Sequence, residues 1–254
     1  MGWQVNPTAA QTPIFYDQHA GFWGTTGSGK TFHALKELRY RMLRLAQGHV
    51  ANTNYKVVHI DTKRAGRGFS EETGYFINEL KAYHGTIVHD WRDFRLNAPN
   101  DPIYHVYRPD RSLQTPDDFN LFFNYLLGLE IKFQGNTIQL PMLIIIDEYT
   151  DIFGGATTRT QYMPNFTKIL SQGRATMQTV WIESQKTAFV DADIKANVGA
   201  RFVFRLPNPD DRKRIADMTG DSRVKKPIRF THGMFYQNDM LEWAMEPIFF
   251  NGRQ

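Results

Sequence analysis

The chain contains no cysteine, which excludes disulfide cross-links and metal centres built on thiolates. Long hydrophobic runs are missing too. The main one lies around Pro141 to Ile146, far short of the ~20 apolar residues that a membrane-spanning helix needs. The opening residues, Met1-Gly-Trp-Gln-Val-Asn-Pro7, lack the basic and then apolar character of a secretory leader. No internal repeat or low-complexity tract is present, and the histidines form no metal-ligating spacing; His59 and His89, at strand ends, read as structural. Ser28 and Ser184 have no His/Asp arrangement suited to a hydrolase triad. No zinc finger or comparable base-reading motif appears, so any nucleic-acid contact is expected to be indifferent to sequence.

In bulk, what is present is ordinary. The chain has 254 residues, 41% hydrophobic and 22% charged, enough for one globular domain with a substantial core. The 30 Lys and Arg exceed the 26 Asp and Glu, giving a net charge of +4. That mild basicity is compatible with a polyanionic partner without requiring one.

Apolar spacing alternates between the periods of strands and helices. His19 to Gly24 reads as a strand entering a Gly-rich turn, and Thr31 to Gln47 as a helix with Ala34, Leu35, Leu38, Met42, Leu43 and Leu45 recurring at steps compatible with one apolar face. Further strands are expected at Tyr55 to Ile60, Gly85 to His89, Ile103 to Tyr107, Met142 to Ile146, Met177 to Ile182 and Arg201 to Leu206. Helices are expected at Glu71 to Tyr83, Pro116 to Leu129, Pro164 to Arg174, Ala192 to Asn197 and Asp210 to Met218. Gly233 to Gln237 and Leu241 to Phe249 alternate like a terminal hairpin. This order implies one α/β domain, a mostly parallel sheet with helices on both faces. Residues 1–18 form an N-terminal extension and 221–254 a hairpin-like C-terminal one.

Gly24-Thr25-Thr26-Gly27-Ser28-Gly29-Lys30-Thr31 fits G-x-x-x-x-G-K-[ST] between an expected strand and an expected helix. Glycines let successive backbone N–H groups curl toward phosphate oxygens, and the helix N-terminus adds the positive end of its dipole. Lys30 is then suited to the β- and γ-phosphates and the Thr31 hydroxyl to Mg²⁺; Phe32 completes the nucleotide-binding segment. Leu143 to Ile146 is an apolar strand that delivers Asp147 and Glu148 at its carboxyl end. Asp147 suits the Mg²⁺ shell, and Glu148 suits orienting and polarising an attacking water. The expected cofactors are ATP and Mg²⁺, and the expected fold is that of a P-loop NTPase.

Further residues, in order, resemble the FtsK/HerA superfamily of hexameric DNA-translocating ATPases. The double-Thr form of Gly24 to Lys30 is similar to that family's loop, and Ile60-Asp61-Thr62-Lys63 to its D-P-K element, with Thr62 in place of proline. Ser171 to Thr176 followed by Val180 to Gln185 resembles its A-R-A-x-G-I-H…A-T-Q segment, with Glu183-Ser184 replacing Ala-Thr. Ile194 to Arg205 resembles I-K-x-N-x-x-x-R-x-x-F-R. The resemblance implies a polar sensor at Gln185, an arginine finger at Arg174 acting on a neighbouring subunit's nucleotide, and a secondary sensor or inter-subunit role for Arg201. It also implies a homo-hexameric ring on double-stranded DNA.

The compact length is similar to genome-packaging ATPases of icosahedral viruses with an internal membrane. That implies capsid or portal-vertex partners and a place in the host cytoplasm or at the virion vertex. A conjugation or plasmid-transfer motor of the same superfamily, or a nucleotide-dependent assembly switch, are the alternatives. Arg159 in Gly154 to Thr160, and Lys63, Arg64 and Arg67 after the second strand, are the expected DNA-contacting residues. The clusters Arg212 to Arg214 and Arg223 to Arg229 are further candidates.

Overall fold

The structure, a computed structural model, describes residues 18–46, 55–62, 83–96, 103–153, 163–187, 192–228, 232–237 and 240–247. Most of the expected helix at Glu71 to Tyr83, and Lys63, Arg64, Arg67 and Arg159, lie outside them.

Strands, numbered in chain order, are β1 His19–Trp23, β2 Lys56–Asp61, β3 Thr86–Val88, β4 Tyr104–Tyr107, β5 Glu130–Phe133 and β6 Asn136–Gln139, followed by β7 Met142–Asp147, β8 Gln178–Ser184, β9 Val198–Val203, β10 His232–Gln237 and β11 Met240–Pro247. Nine of them build one sheet in the order β11-β10-β9-β1-β8-β7-β2-β4-β3. From β9 to β3 every pairing is parallel. The β10–β11 hairpin closes one edge antiparallel.

The described helices are α1 Lys30–Ala46, α2 Pro116–Leu127, α3 Tyr149–Phe153, α4 Pro164–Thr176, α5 Ala192–Asn197 and α6 Pro209–Thr219. Local chemistry sets their ends. Thr115 caps α2 by accepting from the Asp118 N–H at 3.2 Å, with Pro116 in the first turn. Asn208 and Pro209 do the same for α6, which stops at Gly220 in the left-handed conformation.

β2, β7 and β8 are buried along their whole length, as strands covered on both faces must be. Side chains alternate between two cores. Leu143, Ile145 and Trp181 meet Ala34, Leu35, Leu38 and Met42 of α1. Ile144, Ile146, Val180 and Ile182 face Phe122, Phe123, Phe153 and Phe166 of α2, α3 and α4. The fold is therefore three-layered, as the alternation of elements predicts.

Three local differences stand out. The strand expected at Arg201 to Leu206 lies at Val198–Val203, and beyond its end the Arg205 carbonyl accepts from the Thr25 N–H at 2.9 Å. β5 and β6 form an unexpected antiparallel hairpin. Its turn, Gln134-Gly135, has positive φ at both residues, the geometry that short hairpins need. The short α3, following Glu148, was also unforeseen.

The two faces of α2 give a stability test. Phe122 is fully buried and Leu121 is 51% exposed. Phe122→Ala is expected to cost about 3–5 kcal/mol in chemical denaturation, and Leu121→Ala less than about 0.5 kcal/mol.

Candidate functional site

Carboxyl ends of parallel strands converge at one rim of a sheet, and here β1, β8 and β7 lie side by side. β1 opens into the Gly24 loop. The Gly24 N–H donates to the Ser184 carbonyl at 3.1 Å, Thr25 N–H to Arg205 O at 2.9 Å, and Ser28 N–H to Thr25 O at 3.1 Å. Gly27 and Gly29 hold φ of 74° and 97°, conformations that side chains resist. Gly24 is constrained by space instead: a Cβ there would lie 2.5 Å from Ser28 Oγ and 2.7 Å from Phe204 Cβ. Thr26 and Gly27 at the tip are exposed, whereas Ser28 and Lys30 at the base are buried. Phe32 is half-buried and packs against the α1-side core.

β7 delivers Asp147, fully buried, and then Glu148, 5% exposed. Glu148 has φ of 67°, a backbone strain on the order of 1–3 kcal/mol for a non-glycine residue. Its Oε1 accepts from Thr150 Oγ1 at 2.8 Å and from the Gln185 N–H at 3.2 Å, while Ser184 Oγ, which donates to the Lys186 carbonyl at 2.8 Å, lies 3.5 Å away. Its Oε2 is buried and has no partner among the described residues. An incoming donor such as water would satisfy that oxygen.

Gln185 ties the halves together: its N–H meets Glu148, and its Oε1 accepts from Thr26 Oγ1 at 2.8 Å. β2 braces the outer side, where Thr62 Oγ1 donates to the Asp147 carbonyl at 3.3 Å. Arg108 donates twice to Asp61 Oδ2, at 3.0 and 2.8 Å. Finally, Thr31 Oγ1 donates to Glu183 Oε2 at 2.6 Å.

A glycine cradle, a buried lysine, oxygen donors of the hard type that Mg²⁺ prefers and an unpartnered buried carboxylate oxygen fit a Mg²⁺–nucleotide. No protein-family model matches the chain, and no curated protein matches its sequence. Solved structures do match in fold. One is the genome packaging NTPase B204 of Sulfolobus turreted icosahedral virus 2 in complex with ATP-gammaS (TM-score 0.61, 14% identity, 93% of this chain and 100% of that chain). Another is VirB4 of Thermoanaerobacter pseudethanolicus (TM-score 0.59, 10% identity, 92% of each chain). A third is the pCW3 conjugation coupling protein TcpA (TM-score 0.53, 16% identity, 92% of this chain and 62% of that chain). The chain has the fold of a P-loop ATPase.

In this P-loop fold the remaining expected residues go elsewhere. Arg201 is buried in β9, and its guanidinium donates to Lys195 O at 2.9 Å and Met218 O at 3.4 Å. These contacts tie it to α5 and α6, and burial holds its pKa below the ordinary arginine range. Arg174 belongs to the last turns of α4, just before β8 begins. That is the amino-terminal rim of the strands, so a strand's length, about 20 Å, separates it from the loop of its own chain. Of the basic clusters, Arg212 is committed to the carbonyls of Leu206, Pro207 and Lys225, and Arg223 to Asp221.

Sequence reasoning missed Thr150, Arg108 and the partnership of Glu183 with Thr31. Thr150 and Arg108 carry no motif. Glu183 does leave a sign, an acid ending the otherwise buried strand sequence Thr179-Val-Trp-Ile182.

Arg201 separates a structural from a site role. Arg201→Met leaves two helix-end carbonyls without this donor and is expected to destabilise the fold by about 1–3 kcal/mol. Denaturant titration should show that loss while nucleotide affinity of the folded protein stays at the wild-type value; a selective loss of affinity would return Arg201 to the site.

Proposed function

We propose that the chain is an ATP-hydrolysing motor that moves double-stranded DNA through a homo-oligomeric ring, and that it packages a viral genome. One observation carries the ATPase part. The loop after β1 and the acids after β7 are joined through Gln185, with one buried oxygen of Glu148 left for a donor. Matching the whole length of a viral packaging NTPase supports packaging. Similarity to a conjugation coupling protein supports a conjugative motor as the second reading.

In this reading Gly24 to Gly29 wrap the phosphates with backbone N–H groups, and Lys30 adds a buried positive charge beside them. Thr31 and Asp147 hold Mg²⁺, which when bound neutralises charge on the phosphate oxygens. Glu148, fixed through Oε1, presents Oε2 to the attacking water and takes its proton. Gln185 senses the outcome, because a shift of the Thr26 tip pulls directly on the residue whose N–H positions Glu148. Arg174, at the far rim of its own chain, acts on a neighbour's nucleotide, which makes the ring obligatory for fast turnover. DNA is gripped through its phosphates by Arg159, Lys63, Arg64 and Arg67, so binding weakens steeply as salt rises.

Lys30→Ala should abolish nucleotide-dependent turnover. Glu148→Gln should keep ATP binding and slow hydrolysis by about 10²–10⁴-fold, read from equilibrium binding beside steady-state phosphate release. Unchanged hydrolysis removes Glu148 as the base. Duplex DNA should stimulate the wild-type rate at low salt; no stimulation at any salt would leave a nucleotide-dependent switch and not a motor. Mixing Arg174→Ala with Lys30→Ala subunits should restore part of the turnover that each lacks alone, and mixed rings with none would reject action in trans.

A further inference from the structure

Glu183 stands where an acid is costly. It is fully buried, in the strand between the loop strand and the acid strand, opposite Phe22 of β1. Its neighbour two residues earlier, Trp181, points into the α1-side core, so the alternation of a strand directs Glu183 to that same side. The 2.6 Å bond from Thr31 Oγ1, on the first turn of α1, agrees with this. On β7, Leu143 and Ile145 point to the same core, which places Asp147 there too. The register Ile146↔Ile182 makes Asp147 and Glu183 the next positions on adjacent parallel strands. One end of the site therefore holds the Thr31 hydroxyl with two buried carboxyl groups side by side.

We propose that Glu183 is a positioning residue for the divalent cation: it accepts the hydrogen bond of the Thr31 hydroxyl and so turns the oxygen's lone pairs toward the metal. This inference rests on the nucleotide-binding reading above. A threonine hydroxyl has one proton and two lone pairs, and an oxygen that ligates a cation must send its proton away from it. The Thr31–Glu183 separation is in the range of strong bonds to a carboxylate. An acceptor behind a metal ligand fixes its orientation and raises its basicity, and losing such a partner weakens metal binding by about 10–100-fold. Asp147 beside it adds a second oxygen donor. Two neighbouring carboxyls repel when both are ionised, and a divalent cation relieves that repulsion.

The test measures metal binding and not turnover. Mn²⁺ affinity of the full chain with a non-hydrolysable ATP analogue is read by electron paramagnetic resonance, and analogue affinity is read separately in EDTA. Glu183→Ala should weaken Mn²⁺ about tenfold or more and leave analogue affinity in EDTA unchanged. Glu183→Gln retains a carbonyl acceptor for Thr31 and should recover most of that loss while keeping the packing if the alanine variant misfolds. Wild-type Mn²⁺ affinity in both variants overturns the proposal. Equal loss of analogue binding in EDTA overturns it as well, since Glu183 would then be a general structural support. A wild-type protein with no metal-dependent analogue binding would overturn the nucleotide reading itself, and this inference with it.

Discussion

Three parallel strands in one register, β1, β8 and β7, are the constraint on which the rest depends. Parallel pairing requires all three carboxyl ends to finish at the same rim. β8 therefore reaches the site between the strand that carries the loop and the strand that carries the acids. Its last residues become the structural link between two motifs more than a hundred positions apart. Ser184 offers its carbonyl to Gly24, and Gln185 offers its N–H to Glu148 and its side chain to Thr26. A slip of one residue in β8 would send Glu183 to the opposite core and separate it from Thr31. The dense packing of both cores against this strand, from Trp181 on one side to Val180 and Ile182 on the other, is what holds the register.

The same rim concentrates strain. Glu148 leaves β7 in a left-handed conformation and would relax into a continuing strand or helix if nothing opposed it. Two donors converge on its Oε1, the Thr150 hydroxyl two residues on and the Gln185 N–H at the end of β8. Outlying backbone persists where its surroundings over-determine it, and here the gain is directional. With the chain turned at this point, one carboxylate oxygen binds the protein while the other, buried, has no partner among the described residues.

Much of this was legible in the sequence, for physical reasons that differ by element. Apolar periodicity located β7 and α2 because β7 is buried along its whole length and α2 buries one clear face. The phosphate loop was readable because its glycines and its Lys-Thr pair obey backbone geometry that few other sequences satisfy. Arg201 shows the limit: a motif position says that a cation is needed there, not whether it binds a nucleotide or the ends of α5 and α6. Arg108 and Thr150 were invisible because their partners, Asp61 and Glu148, are chosen by strand pairing and by a single turn. Glu183 was legible only as an acid after the apolar run Val180 to Ile182 and as a departure from a family pattern. Its meaning required knowing that Thr31 lies across from it.

If the rim binds nucleotide and metal as proposed, its charge decides how the two depend on each other. Asp147, Glu148 and Glu183 are buried within a few residues of the loop, and Lys30 is the buried cation at its base. Phosphates brought to such a place meet inward-pointing N–H groups and one lysine, but also a wall of carboxyls that repels them. A cation brought alone meets the carboxyls and lacks the phosphate oxygens needed to complete an octahedral shell. Each ligand therefore corrects the deficit that the other leaves, and linkage makes the coupling reciprocal. In the proposed reading Glu183 sharpens this coupling, because it would orient the Thr31 hydroxyl, which belongs to the loop and would also reach the metal.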